Sequence, residues 1–206
     1  MIIVLALFAA LALGAAQAAS PPTAPDVLVQ SVSTQVIEVL KHDQAAGRST
    51  NVTQLVEEKI LPLFDFERMT SMAVARNWRN ASPAQRSALI EEFRTLLVRT
   101  YSVSLSSYRD EVIDYKPLRG AADAAEAVVR SSVKRPGAET LTIDYDMAHG
   151  PSGWKVYDVK VAGVSLVITY RESFAAVVRD AGIDGLIKTL TDKNRPYAPA
   201  SAAAGK

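Results

Sequence analysis

Cysteine is absent from the 206 residues, and histidine occurs only twice, as His42 and His149. Without Cys there is no disulfide, no thiolate nucleophile, no iron–sulfur cluster and no thiolate zinc site. Two His leave little material for an imidazole metal centre. A charge excess of either sign is missing too, since 23 Lys and Arg stand against 22 Asp and Glu. Binding to a phosphate backbone calls for a strong basic surplus, so the balance argues for no nucleic-acid partner. The common catalytic signatures are also lacking: there is no G-x-S-x-G, H-E-x-x-H, G-x-x-x-x-G-K or G-x-G-x-x-G. Gly163-Val164-Ser165-Leu166-Val167 lacks the closing glycine of a nucleophile elbow.

One long apolar run is present, and it opens the chain. Residues 1–18 carry no charged side chain and end in Ala16-Gln17-Ala18. An apolar stretch closed by small residues reads as a secretory signal peptide, cleaved after Ala18. It is short for a bilayer span, and Ser20-Pro21-Pro22 interrupts it at once. No Cys follows to accept a lipid anchor. The expectation is an exported domain over 19–195, with a disordered Pro/Ala tail over 196–206.

Helical spacing dominates the first half. Val29, Val32, Val36, Val39 and Leu40 define one helix, stopped by Gly47. Val52 to Leu61 fits a second, ended by Pro62, and Asp65 can cap a third that carries Phe66, Met69, Met72 and Ala73. Ser82-Pro83-Ala84-Gln85 is the clearest start signal, with a hydroxyl N-cap, Pro at the first helical position and Gln to close a capping box. The helix it opens runs to about Tyr108, roughly 25 residues or about 37 Å.

Near Glu111 the period falls to two. Strands are expected over Glu111–Tyr115, Glu126–Arg135, Thr140–Met147 and Trp154–Val161, with turns at Pro136-Gly137 and Gly150-Pro151-Ser152-Gly153. In the third, Leu141, Ile143, Tyr145 and Met147 face one way while two Thr and two Asp face the other, as in a half-buried antiparallel strand. From Val164 the helical period returns until Gly182, and a last helix spans Ile183 to about Asn194. The fold class is therefore α+β: a twisted, mainly antiparallel four-stranded sheet with a layer of helices on one face. Such layers either pack completely or diverge around a cavity.

Polar candidates are few. Asp144 and Asp146 share a strand face with His149 just beyond, which could hold a divalent metal but more simply makes a solvated face. Met69, Met72 and Met147 join Phe66, Phe93, Tyr101, Tyr145 and Tyr157 either as ordinary core or as a deformable apolar pocket. Arg68, Arg76, Arg79, Arg94 and Arg99 concentrate in the helical half, as a solvated face or as a contact for an anionic partner.

Four blocks then appear in order: Leu63-Phe64-Asp65-Phe66-Glu67-Arg68-Met69-Thr70 with Asn77-Trp78-Arg79; Phe93 to Tyr101; Gly153-Trp154-Lys155-Val156-Tyr157-Asp158-Val159 leading to Gly163-Val164-Ser165-Leu166-Val167 and Tyr170-Arg171; and Gly182 to Ile187. Together they resemble the toluene-tolerance family, the periplasmic phospholipid-binding proteins of the Mla (maintenance of lipid asymmetry) pathway, over about residues 27–195.

The resemblance implies a periplasmic phospholipid carrier that maintains outer-membrane lipid asymmetry, not an enzyme, with phospholipid as cargo and no cofactor. Its implied partners are an inner-membrane MCE-domain ABC transporter complex and an outer-membrane lipoprotein–porin complex. Tails would lie between sheet and helices, and weak headgroup selectivity is expected. On that basis the strand face Val129, Leu141, Ile143, Tyr145, Met147, Tyr157 and Val159 and the helical wall Phe66, Met69, Phe93, Leu97, Tyr101 and Phe174 are the candidate lipid-binding residues. An α+β periplasmic enzyme using Asp144, Asp146 and His149, and a chaperone-like envelope protein, are the alternatives.

Overall fold

The computed structural model describes residues 23–106, 111–119, 124–135, 137 and 139–195. The expected signal peptide and C-terminal tail lie outside them. Helix α1 covers Pro25–Ala45, where Pro25 supplies the preset φ of a first helical position, and Gly47 leaves the helix at φ 64. Its buried side chains Val29, Val36 and Leu40 fall on one stripe, whereas Val39 is exposed. Helix α2 (Val52–Leu55) does not run on to Leu61 as an α-helix. It widens into a π-helical turn over Val56–Ile60 and tightens to a 3-10 turn over Leu61–Leu63 at Pro62. Helix α3 (Phe66–Val74) is capped by Asp65, whose carboxylate accepts the Arg68 N–H at 2.9 Å.

Helix α4 (Pro83–Ser106) begins with a reciprocal capping box: the Gln85 N–H reaches Ser82 Oγ at 3.2 Å, and the Ser82 N–H reaches Gln85 Oε1 at 3.0 Å. Helix α5 (Arg171–Asn194) turns at Gly182, φ 72 and ψ −176, where the sequence pattern places a break. The carboxylate and carbonyl of Glu92 hold its last turn, accepting from Thr191 Oγ1 at 2.7 Å and from Asn194 Nδ2 at 2.7 and 2.8 Å.

The sheet is an antiparallel meander in chain order: β1 (Val112–Tyr115), β2 (Glu126–Lys134), β3 (Leu141–Gly150), β4 (Gly153–Val161) and β5 (Val164–Ser165). Five strands replace the four expected. The chain does not become helical at Val164, because Ala162 and Gly163 both adopt positive φ, 50 and 80. They form a two-residue hairpin turn that pairs Val164 with Val161. Ala-Gly is a weaker hairpin signal than Asn-Gly, and two residues are too few to show a period of two.

A second irregularity lies between β3 and β4. Asp146 pairs with Asp158 but Met147 pairs with Val156, so Tyr157 has no partner on β3 and forms a bulge. Past that point the edge of β4 is met by the segment before α3. Phe64 bridges to Val156, and the Asp65 N–H donates to the Val156 carbonyl at 2.8 Å.

Apolar packing falls into separate groups. Helices α3, α4 and α5 bury Met69, Ala73, Leu89, Phe93, Phe174, Leu186 and Leu190 together, with Phe93 edge-on to Tyr170 and Phe174 at 5.2 and 5.3 Å. The inner sheet face packs Val129, Met147, Trp154 and Val156 against Val29 of α1. Val36, Leu40 and Leu55 join α1 to α2. No helix among the described residues is long and apolar enough to cross a membrane.

At the end of α3, Ala75 stands at φ 53 and ψ −129, a conformation that a Cβ strains. Ala75→Gly should therefore stabilise the protein by about 1 kcal/mol, after the greater freedom of glycine in the unfolded chain is offset. A raised urea midpoint at unchanged m-value is the expected result; a lowered midpoint would contradict it.

Candidate functional site

Sheet and helices diverge around a cavity of about 450 Å³. Val56, Ile60, Leu61 and Phe64 line it from the irregular α2–α3 segment, Phe66 and Met69 from α3, and Leu97, Val98, Tyr101 and Ser102 from α4. The sheet contributes Leu141, Ile143 and Tyr145 of β3 and Val159 and Val161 of β4, and Leu166 closes the ring. The π-helical turn puts Val56 and Ile60 on this wall, and wide helical turns of that kind recur at functional sites. None of these sixteen residues is charged, and the hydroxyls of Tyr101, Ser102 and Tyr145 supply the polarity. The volume falls within the ~300–1,000 Å³ usual for small-molecule sites.

Of the residues proposed from sequence, Phe66, Met69, Leu97, Tyr101, Leu141, Ile143, Tyr145 and Val159 meet around this space. Phe93 and Phe174 instead sit in the core of the helical layer, because each uses its ring to join α4 to α5 and Tyr170. Val129 and Met147 are on the cavity side of the sheet but beneath α1, where Val29 fills the space. Tyr157 is turned away by the bulge. The Arg68 guanidinium lies 3.5 Å from its ring centroid, and Glu126 both pairs with Arg68 at 2.7 Å and accepts from the Tyr157 hydroxyl at 3.4 Å. Val56, Ile60, Leu61, Phe64, Val98, Ser102, Val161 and Leu166 were missed by sequence reasoning. A mixed π and 3-10 segment has no single period to read, although its run of apolar residues beside Pro62 was visible.

The outer sheet face is solvated only in part, with Thr142 exposed and Asp144 half-buried. Asp146 is buried with its Oδ2 2.6 Å from Lys160 Nζ, and Asp158, only 2% exposed, accepts the Val167 N–H at 3.3 Å. The chain returning after β5 covers this part of the strand. The carboxylate of Asp146 holds the Lys160 ammonium above its ordinary range. His149 falls on the opposite side of the pleat from both Asp residues, at the exposed end of β3, edge-on to Trp154 at 5.2 Å. Among the described residues, no group of three or more acidic, His or Cys side chains stands where it could hold a metal ion. The arginines of the helical half also separate: Arg68 serves the outer face, Arg94 pairs with Glu91 on α4, and Arg76, Arg79 and Arg99 are exposed.

An antiparallel sheet and a helical layer enclosing an uncharged cavity define an α+β binding protein whose interior suits an apolar ligand. The chain belongs to the MlaC family: the model of the MlaC protein matches residues 30–192. It is similar to the intermembrane phospholipid transport system binding protein MlaC of Haemophilus influenzae, 23% identical over 82% of this chain and 81% of that one. It is also similar to the toluene tolerance protein ttg2D of Pseudomonas putida, 27% identical over 87% of this chain and 84% of that one. Among solved structures it resembles a phospholipid-binding protein of Ralstonia solanacearum in complex with a phospholipid. The TM-score is 0.74 and the identity 38%, over 82% of this chain and 96% of that one.

Burial shapes the two cavity phenols. The Tyr145 hydroxyl is pushed up to about 12, first by burial and then by the neighbouring Tyr115 phenol, against an opposing hydrogen bond from Ser131. Tyr101 is also pushed up to about 12, by burial and by Tyr170. A phenol whose folded-state value lies above its ordinary 10 keeps its proton while the unfolded chain has lost it. The stability it contributes is thus present below pH 10 and is lost as pH rises towards 12. Tyr145→Phe should flatten the loss of stability across that interval, by on the order of 1–2 kcal/mol at its upper end. Urea unfolding across the interval tests this, and an unchanged slope would count against the assignment.

Proposed function

We propose that this chain is the phospholipid-binding carrier of an intermembrane phospholipid transport system in the periplasm, and that the cavity between sheet and helices takes the acyl tails. The observation that carries the reading is the lining: sixteen residues without a charge, facing a space of about 450 Å³. The phospholipid named in the Ralstonia relative's complex supports the same ligand class. The carrier exchanges lipid with an inner-membrane MCE-domain ABC transporter complex and an outer-membrane lipoprotein–porin complex.

Transfer of this kind requires no acid, base or metal. Two acyl chains hold on the order of 30 methylenes, each worth about 0.8 kcal/mol on leaving water. The sum, roughly 24 kcal/mol, exceeds the practical ceiling of about 18–21 kcal/mol for noncovalent affinity. Free lipid therefore does not cross water at a useful rate. The carrier has only to offer surroundings comparable to a bilayer, which makes transfer between docked partners nearly neutral. Polar groups confined to three hydroxyls fit that role, since every buried charge would add a desolvation cost.

Protein purified from cells should yield about one equivalent or more of diacyl phospholipid on extraction and mass spectrometry. Protein free of lipid that instead showed a metal-dependent activity would favour an enzyme. Leu97, 7% exposed, points from α4 into the cavity, and Leu97→Glu should abolish lipid occupancy. The buried charge also costs several kcal/mol of stability, so circular dichroism must accompany the assay. A folded Leu97→Glu protein with full lipid occupancy would refute the placement of the tails.

A further inference from the structure

We infer that Tyr145, with Val159 beside it and Phe64 opposite, forms the floor of the cavity and sets the length of acyl chain that the protein accepts. This rests on the carrier reading and adds to it the selection of tails by length.

The two ends of the cavity differ. Tyr101 and Leu141 have 36% and 41% of their surface exposed and form its rim, whereas Val56 and Met69, at 4% and 3%, lie deep. Along β3 the lining runs from Leu141 through Ile143 to Tyr145 and stops. The four residue steps of strand from Leu141 at the rim to Tyr145 at the floor span about 13 Å. Tyr145 is paired with Val129 on β2 and with Val159 on β4, so one row of the sheet marks the boundary.

Beyond that row the same face is occupied. Met147 is fully buried among Val129, Val156 and Trp154, with Val29 of α1 seated on them. Phe64, Tyr145 and Val159 both line the cavity and pack against this group, which makes them the partition between open and filled space. A tail that reaches the partition cannot extend without displacing core side chains. The phenol ring of Tyr145 provides bulk at that point, so its size, more than its hydroxyl, limits the chain.

The test offers delipidated full-length protein mixed detergent micelles with equal amounts of dimyristoyl and distearoyl phosphatidylglycerol, and reads the bound ratio by mass spectrometry. Tyr145→Leu should raise the stearoyl-to-myristoyl ratio over wild type by about fourfold for each methylene of space it frees. Val159→Phe, which adds a ring on the cavity side, should lower the ratio by a similar factor, and Tyr145→Phe should leave it near wild type. Circular dichroism checks folding, and Val159→Phe carries the test if Tyr145→Leu does not fold. Folded, lipid-loaded variants with the wild-type ratio would overturn the floor while leaving the carrier reading intact. Wild-type protein that takes up neither lipid would overturn the carrier reading, and the floor with it.

Discussion

The inner face of the sheet is largely apolar, but α1 covers only part of it. Val29 seats on Val129, Met147, Trp154 and Val156, and that half is packed as a protein core is packed. The other half, from Leu141 to Tyr145 and from Val159 to Val161, looks across open space at α3 and α4. An apolar face left uncovered is costly in water, so the arrangement is stable when something apolar occupies the gap. Cavity, lining and ligand class all follow from that unequal covering.

The rest of the structure holds the gap open. The α3–α5 layer has its own core, centred on Phe93 and Phe174, and so does not need the sheet to bury its apolar stripe. It is attached to the sheet at the edge of β4, through the Phe64–Val156 bridge and the Asp65 hydrogen bond, and on the outer face through Arg68, Tyr157 and Glu126. The bulge on β4 makes the second attachment possible by sending Tyr157 outward. A layer fixed at one edge and self-sufficient elsewhere can stand away from the strands that it faces.

The polar side of the sheet is tied into the fold. Asp146 and Asp158 stand directly opposite one another, an unfavourable pairing of like charges in an exposed ladder. Here Lys160 engages one and the Val167 amide the other, which ties the turn after β5 to the strands. Leu166, in that same returning segment, lines the cavity. Structural electrostatics on one face thus position a lining residue on the other.

Local signals were sufficient for much of the architecture. Ser82-Pro83-Ala84-Gln85, the Asp65 cap, the break at Gly182 and the strand through Leu141 to Met147 each act within a few residues of themselves, and each appears in the structure at its place. Blocks spread along the chain were likewise enough for the family. What depended on tertiary structure was the division of apolar residues between core and cavity. Phe93 and Leu97 lie one turn apart on α4 in the same helical core, yet only Leu97 also faces the open space. Met147 and Tyr145 share a face of β3, and only the reach of α1 separates them. Periodicity tells which side of an element is apolar, because it depends on backbone geometry alone. Whether that side meets another side chain or a cavity is set by where distant segments stop, and no local pattern carries that distance.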